Sequence, residues 1–157
     1  MSFKELIDFL RNLNKNNHKE WMHENKSTYN DCKKFLIEWN TELIQKIHQL
    51  DDHFDPPEPK KCLERINNNL LYHPDRPTYK DHFGIELPLS QGPSGFYLQI
   101  GLSNNFLGGG IHNPQKSDLK KIREAIDYNG SELEAITNSK KFKTEFGDLD
   151  RENQLKT

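Results

Sequence analysis

The densest group of side chains that could do chemistry lies between residues 72 and 83, in the stretch YHPDRPTYKDHF. Its ionisable members besides the two tyrosines are His73, Asp75, Arg76, Lys80, Asp81 and His82. Arg76 and Lys80 could converge on an anion with Arg65, because a guanidinium offers carboxylate or phosphate a bidentate fork and lysine supplies a point charge. Asp75 or His82 could then move a proton, since the ordinary pKa of histidine lies nearest neutral pH.

The same stretch is also typical of a solvated loop. In that interpretation Asp75 pairs with Arg76 or Lys80, and each exposed pair contributes about 0–1 kcal/mol. The two prolines would only stiffen the entry to the next element. Charged loops that contain proline are common on protein surfaces, so the residues alone leave both interpretations open.

A second candidate is FLGGGIH at 106–112, where Gly108, Gly109 and Gly110 fall within a predicted strand. Each glycine weakens a strand by roughly 0.5–1 kcal/mol relative to alanine. A bulge, or the close approach of a ligand or of another backbone, would explain their presence. No GK[ST] follows, which argues against a phosphate loop. His112 ends the segment and is a further candidate binding residue.

Other patterns argue against several classes of chemistry. The HExxH motif is absent, and two pairs of histidines are each five residues apart, the wrong spacing for a shared ligand face on a helix. We therefore predict no metal and no cofactor. Cys32 and Cys62 stand alone, which favours a reducing compartment over a disulfide framework. No serine or cysteine lies in a nucleophile motif.

Charge and composition limit the partners. The net charge of -2, from 22 Lys+Arg and 24 Asp+Glu, gives no positive field that would draw the chain onto nucleic acid or anionic lipid. No apolar run approaches the roughly 18 residues of a membrane span, and the N-terminus lacks a signal-peptide pattern. We expect a cytoplasmic protein that binds neither nucleic acid nor membrane. The AVILMFWYC share of 32% predicts a thin core.

The first third of the chain predicts three helices. Ser2 and Glu5 form a capping box ahead of a helical apolar pattern over residues 3–13. Asn17 is predicted to cap a second helix, and an apolar stripe from about 28 to 50 predicts the third. Four aromatic residues are interpreted as core anchors rather than as a base-stacking platform: Trp21, Tyr29, Phe35 and Trp39.

Alternating apolar residues follow DPPEP at 55–59, which cannot be helical. They predict antiparallel strands at 82–89, 96–102 and 106–112, joined by turns at SQGPSG and SNN, and a further strand at 62–67. Ser117 is predicted to cap a later helix, with shorter helices at 131–138 and 139–146. The predicted fold is one α+β domain over 1–157, namely helical 1–54, mostly antiparallel sheet 60–113, helical 116–146 and tail 147–157.

Three stretches resemble a known family, in order along nearly the whole chain. They are NNHKEWM, RINNNLLYHPDRPTYKDHFG and GFYLQIGLSNNFLGGGIHNPQKSDLKKIREAI, and they are similar to the bacterial domain-of-unknown-function family 2461. In the middle stretch five residues match the family pattern: Arg65, Ile66, Asp75, Tyr79 and Lys80. Arg76 replaces a lysine of that pattern. The resemblance adds Tyr79 to the candidate binding residues.

The chain also departs from the family pattern. Asn67, Asn68, Asn69 and Leu71 stand where the family has tyrosine, arginine, aspartate and arginine, and the proline falls at Pro77 rather than one position later. The family has no assigned reaction that could be carried over. Because its members usually continue further, the resemblance implies that a C-terminal segment is missing.

Two functions follow as expectations. The first is a non-catalytic binding or interaction module, in which the triple glycine and residues 65–82 share one concave surface for a small anion or a protein. The alternative is an enzyme acting on a small anionic or phosphorylated substrate, with Asp75 or His82 as acid or base. An enzyme needs a water-excluding pocket with a perturbed pKa, whereas a docking surface leaves such side chains exposed.

Overall fold

A computed structural model describes residues 1–89 and 93–150. The first helix, α1 (Phe3–Lys15), begins with the predicted capping box. The Glu5 N–H donates to the Ser2 hydroxyl (3.3 Å), and the Ser2 N–H donates to the Glu5 carboxylate (2.6 Å). These two bonds satisfy backbone donors that the helix itself cannot. The buried residues of α1 are Leu6, Phe9, Leu10 and Leu13.

The second helix, α2 (Lys19–Glu24), is capped differently from the prediction. His18 is the capping residue, and its ring accepts the Trp21 N–H at 3.4 Å. The prediction that Asn17 caps this helix is wrong. The Asn17 amide instead binds the backbone of Tyr79, 62 residues further along the chain. A long-range partner of this kind has no signal in the local sequence.

The third helix, α3 (Lys26–Leu50), carries the predicted apolar stripe, with Cys32, Leu36 and Ile44 buried. The four aromatic anchors also pack against the core, which confirms their structural role: Trp21, Tyr29, Phe35 and Trp39. None of the helices in the described residues is long and apolar enough to cross a membrane.

The sheet is a three-stranded antiparallel meander of β1 (His82–Pro88), β2 (Gly95–Gly101) and β3 (Phe106–Gly110), in that order. It confirms the predicted α+β class. The Leu89 N–H donates to the Ser94 carbonyl (2.9 Å), next to the ends of β1 and β2. Residues 90–92 of the predicted SQGPSG turn lie outside the described residues. The third strand ends at Gly110, so Ile111 and His112 lie beyond it.

Residues 62–67 run beside β1 without forming a regular strand. The Glu64 N–H donates to the Gly84 carbonyl (2.9 Å), and the Glu86 N–H donates to the Cys62 carbonyl (2.8 Å). A second isolated bridge joins Asn67 to Tyr79. The segment therefore extends the sheet at the β1 edge and crosses towards the 78–80 stretch.

Alternation along β1 separates a core face from an open face of the sheet. Phe83, Ile85 and Leu87 are buried with the helices, and the Phe83 ring lies 6.5 Å from that of Phe9. Gly84 and Glu86 point to the other face, where Tyr97 of β2 is their neighbour. The open face is where the structure places the candidate site.

The chain divides into two compact units, and the second begins at Asn113. It contains α4 (Lys116–Thr137), bent at Asn129, and α5 (Lys140–Phe146). Gln115 precedes α4 without a side-chain hydrogen bond, so the predicted Ser117 cap is wrong. The helix expected at 131–138 is the continuation of α4. Both helices are fully described, and neither has a buried residue.

Candidate functional site

An open cleft of about 350 Å³ brings the three predicted cations together. Arg65, Arg76 and Lys80 all line it. The remaining lining residues are Glu64, His73 and the three consecutive asparagines at 67–69. The cleft thus combines positive charge with amide donors, and its size falls near the lower end of the roughly 300–1,000 Å³ typical of ligand sites.

Backbone pairing between two stretches of chain shapes this cleft. The Lys80 N–H donates to the Ile66 carbonyl (2.8 Å), and the Asn68 N–H donates to the Thr78 carbonyl (3.0 Å). The Asn68 side chain also donates to the Pro77 carbonyl (2.8 Å). Residues 65–69 and 76–80 therefore form one hydrogen-bonded ribbon that carries the cations.

A side-chain clamp ties that ribbon to the N-terminal helices. The Tyr79 N–H donates to Asn17 Oδ1 (2.8 Å), and Asn17 Nδ2 donates to the Tyr79 carbonyl (3.0 Å). The amide thereby satisfies both backbone groups of one buried residue. Tyr79, a candidate from the family resemblance, has its side chain 7% exposed within the core cluster. Its backbone positions the adjacent Lys80.

The ion pair of Lys80 differs from the one expected in the solvated-loop interpretation. Its ammonium lies 2.7 Å from Glu64 Oε2, and both side chains are about three-quarters buried, at 21% and 26% exposed. Among the described residues Lys80 thus pairs with Glu64 and not with Asp75. Asp75 itself is exposed and is not among the residues that line the described cleft.

Glu64 lines the cleft and also lies near two residues of the open face of the sheet, Glu86 and Tyr97. Glu64 is among the groups that act on the pKa of both side chains. Although Glu86 is an exposed residue, partial desolvation and then the neighbouring Glu64 carboxylate raise the pKa of its carboxyl. Desolvation and the two carboxylates raise the pKa of Tyr97 to about 12. Lys80 and His112 act on the Glu86 pKa in the opposite direction.

Gly84 makes this close approach possible. A Cβ atom at that position would lie 2.7 Å from the Tyr97 hydroxyl oxygen and would also collide with the Glu64 carboxylate. Such separations are below van der Waals contact, so an added Cβ would push the ends of both side chains aside. The ends of the Glu64 and Tyr97 side chains therefore both lie over Gly84. We call Glu64, Glu86, Tyr97 and Lys80 the carboxyl cluster.

The triple glycine lies at the far edge of the sheet from the cleft. Gly108 is the register partner of Tyr97, whereas Gly109 and Gly110 are exposed. Gly110 has φ +146°, which favours glycine. Two strands, β1 and β2, separate this edge from residues 65–69, so the two segments do not flank one hollow. They are linked across the open face through Tyr97.

His82 and Asp81 form a separate polar group at the start of β1. His82 Nδ1 lies 2.9 Å from Asp81, whose other carboxylate oxygen accepts the Ser103 hydroxyl. The bond from Ser103 and then the one from His82 hold the pKa of Asp81 below its ordinary value. Because the serine is bonded to the carboxylate and not to the imidazole, this group lacks the serine–histidine contact of an activated nucleophile.

Sequence reasoning missed Glu64, Glu86 and Tyr97. Glu86 and Tyr97 occupy the polar positions of alternating strands, which could have marked them as neighbours on one face. Their pairing depends on register, and the approach of Glu64 depends on the irregular 62–67 segment. Within the described parts of the chain, no group of three His, Cys, Asp or Glu side chains is arranged to hold a metal ion.

The chain belongs to the family described as "Conserved hypothetical protein (DUF2461)", whose model matches residues 5–157. This confirms the resemblance seen in the sequence. No curated protein and no solved structure matches the chain.

Proposed function

We propose that the protein is a non-catalytic binding module whose cleft holds a small anionic group. The observation that carries this proposal is the convergence of Arg65, Arg76 and Lys80 on one cleft. Each arginine can donate two parallel hydrogen bonds to a carboxylate or phosphate group. The asparagines at 67–69 add neutral donors and acceptors beside them.

The balance of charge in the cleft supports an anion rather than a cation. Three cationic side chains line it against one carboxylate, Glu64, which is already paired with Lys80. Within the described residues, no ion pair joins Arg65 or Arg76 to an acidic side chain. Both guanidinium groups are on exposed residues, so an incoming oxyanion would replace water and would break no existing salt bridge.

Thermal-shift measurements with inorganic phosphate, pyrophosphate and citrate test the proposal. A ligand at 100 times its dissociation constant adds about 2.7 kcal/mol of stability. Arg65→Gln and Arg76→Gln should each weaken binding roughly tenfold or more, since a hydrogen bond to a charged group contributes about 1.5–3 kcal/mol. Arg11→Gln is the matched control, because Arg11 lies on α1 and pairs with Asp8. The absence of stabilisation by all three anions, or equal losses in the control, would refute the proposal.

The alternative proposal is an enzyme acting on a small anionic or phosphorylated substrate. The predicted acid or base residues give it little support, because Asp75 is exposed and His82 is engaged with Asp81. Glu86 favours it more, since a carboxyl group with a raised pKa is typical of an acid–base site. Turnover of a phosphorylated compound that is lost in Glu86→Gln would favour the enzyme over the binding module.

We also propose that the protein is bacterial and cytoplasmic and binds neither nucleic acid nor membrane. Both cysteines are free and buried, and burial raises the pKa of the Cys32 thiol to about 12. Such thiols are typical of structural residues in a reducing compartment. Cell fractionation with an antibody to the protein tests the compartment, and recovery with the membrane fraction would contradict it.

A further inference from the structure

We propose that the cleft captures the C-terminal residue of a partner polypeptide, one that ends in a large apolar side chain. The terminal carboxylate would lie in the cleft, and the side chain would pack on the loop that joins the two halves of the ribbon. We call this loop, residues 70–75, the ribbon tip. The inference rests on the proposed anion-binding function, because it assigns the anion to a peptide carboxylate.

The ribbon tip exposes three consecutive large hydrophobic side chains: Leu70, Leu71 and Tyr72. Leu71 is 84% exposed and Tyr72 is 74% exposed. In the parts of the chain that the structure describes, no other three consecutive large hydrophobic residues are exposed. Single exposed leucines are ordinary on protein surfaces, but an exposed run is disfavoured unless it serves a function, most often contact with a partner.

The backbone fixes this run to the rim of the cleft. The Tyr72 N–H (3.3 Å) and the His73 N–H (3.0 Å) both donate to the Asn69 carbonyl. The Arg76 N–H donates to the His73 carbonyl (3.2 Å). Asn69, His73 and Arg76 all line the cleft, so the hydrophobic run lies between lining residues in the chain. Because these bonds already order the tip, a ligand that contacts it loses little affinity to ordering the loop.

Charge and size favour one terminal carboxylate as the occupant. Within the described residues, no ion pair joins Arg65 or Arg76 to an acidic side chain, so either guanidinium can form two parallel hydrogen bonds with a carboxylate. The cleft, at about 350 Å³, is small for a ligand site. A C-terminal residue fits these limits, because its carboxylate and its side chain share one Cα atom and so reach the cleft and the adjoining tip together. Asn67 and Asn69 add amide groups that can bond its peptide N–H or C=O.

Cations beside exposed apolar side chains also occur on proteins that bind anionic membranes, but the local charge argues against that partner here. Glu64 lines the cleft, and Asp75 is exposed within the ribbon tip. The net charge of the chain is -2, which gives no general attraction to anionic headgroups. One carboxylate can approach the guanidinium groups between these acids with less repulsion than a charged lipid surface meets. A polypeptide terminus is therefore the better match.

Blocked tripeptides test the inference in NMR titrations of the protein. Acetyl-Ala-Ala-Phe with a free carboxylate should bind roughly tenfold or more tightly than its C-terminal amide, which lacks the charge that arginine recognises. It should also bind roughly fivefold or more tightly than acetyl-Ala-Ala-Ala, because the phenyl ring covers apolar surface of the ribbon tip. Leu71→Ser should abolish this preference for phenylalanine over alanine. Leu50→Ser is the matched control, since Leu50 is 89% exposed at the end of α3.

Three results would overturn the inference: equal affinity for the acid and the amide, no preference for phenylalanine over alanine, or a preference that survives Leu71→Ser. The proposed function would still stand in each case if inorganic phosphate, pyrophosphate or citrate binds. If the peptides and all three anions fail to bind, the proposed function is wrong and the inference falls with it. Vesicles of phosphatidylglycerol and phosphatidylcholine give the last comparison. Sedimentation of the protein with these vesicles that is lost in Leu71→Ser would assign the ribbon tip to a membrane, and would also overturn the inference.

Discussion

The Asn17 clamp gives the sharpest test of how the structure holds the cleft in place. Asn17→Ala removes the acceptor for the Tyr79 N–H and the donor to its carbonyl, bonds of 2.8 and 3.0 Å. Tyr79 is only 7% exposed, so water cannot fully replace them. Each lost bond costs about 1 kcal/mol, and each buried group left unsatisfied adds to this cost. We expect Asn17→Ala to lower the free energy of unfolding by about 2–4 kcal/mol.

Urea unfolding of three variants checks this magnitude. Asn17→Asp keeps an acceptor for the Tyr79 N–H but cannot donate to the carbonyl, so it should lose about half as much as the alanine variant. Asn14→Ala is the matched control, since Asn14 is an exposed position of α1 where alanine should change stability by less than about 0.5 kcal/mol. If Asn17→Ala loses no more than Asn14→Ala, the clamp does not hold the ribbon and the reasoning is wrong.

Three further predictions concern the open face and the first helix. Glu86→Gln should raise the free energy of unfolding by a few tenths to about 1 kcal/mol at neutral pH. A carboxyl group whose pKa is raised on folding contributes stability while it is protonated, and it loses that contribution as the pH rises through that pKa. Urea unfolding at about pH 3 should therefore show no gain from this substitution. Gly84→Ala should displace the Glu64 carboxylate and the Tyr97 hydroxyl at a cost of under about 1 kcal/mol, because both groups are the ends of flexible side chains. The pKa of Tyr97, followed by NMR, should fall from about 12 towards its ordinary value, and an unchanged titration would contradict the close approach. Ser2→Ala should cost about 0.5–2 kcal/mol in urea unfolding by removing the helix cap, without weakening the binding of inorganic phosphate.

Local patterns predicted most of the architecture. The capping box at Ser2, the apolar stripe of α3 and the alternation in β1 each act through neighbours a few residues away, so the sequence contains the whole signal. Asn17 shows the limit of predictions that use only neighbouring residues. Its residue type fits a helix cap, but two bonds to the backbone of a buried residue outweigh one exposed cap.

The candidate site was only partly predictable for the same reason. Arg65, Arg76 and Lys80 were found because charge density is visible in the sequence, and the ribbon does bring them to one cleft. The role of Glu64 depends on an irregular segment beside β1, and Tyr97 becomes its neighbour only through strand register. Gly84 carried no local signal, since the need for glycine comes from two side chains that arrive from other segments.

Because the side chains of β1 alternate between the core and the open face, consecutive residues of this strand have different roles. Odd positions such as Phe83 and Ile85 fill the core, and even positions such as Gly84 and Glu86 shape the open face. Conservative substitutions at Glu86 can therefore change the charge of the open face at little cost in folding, whereas those at Ile85 mainly change folding. Selection acting on this strand could alter the chemistry of the open face while leaving the scaffold intact.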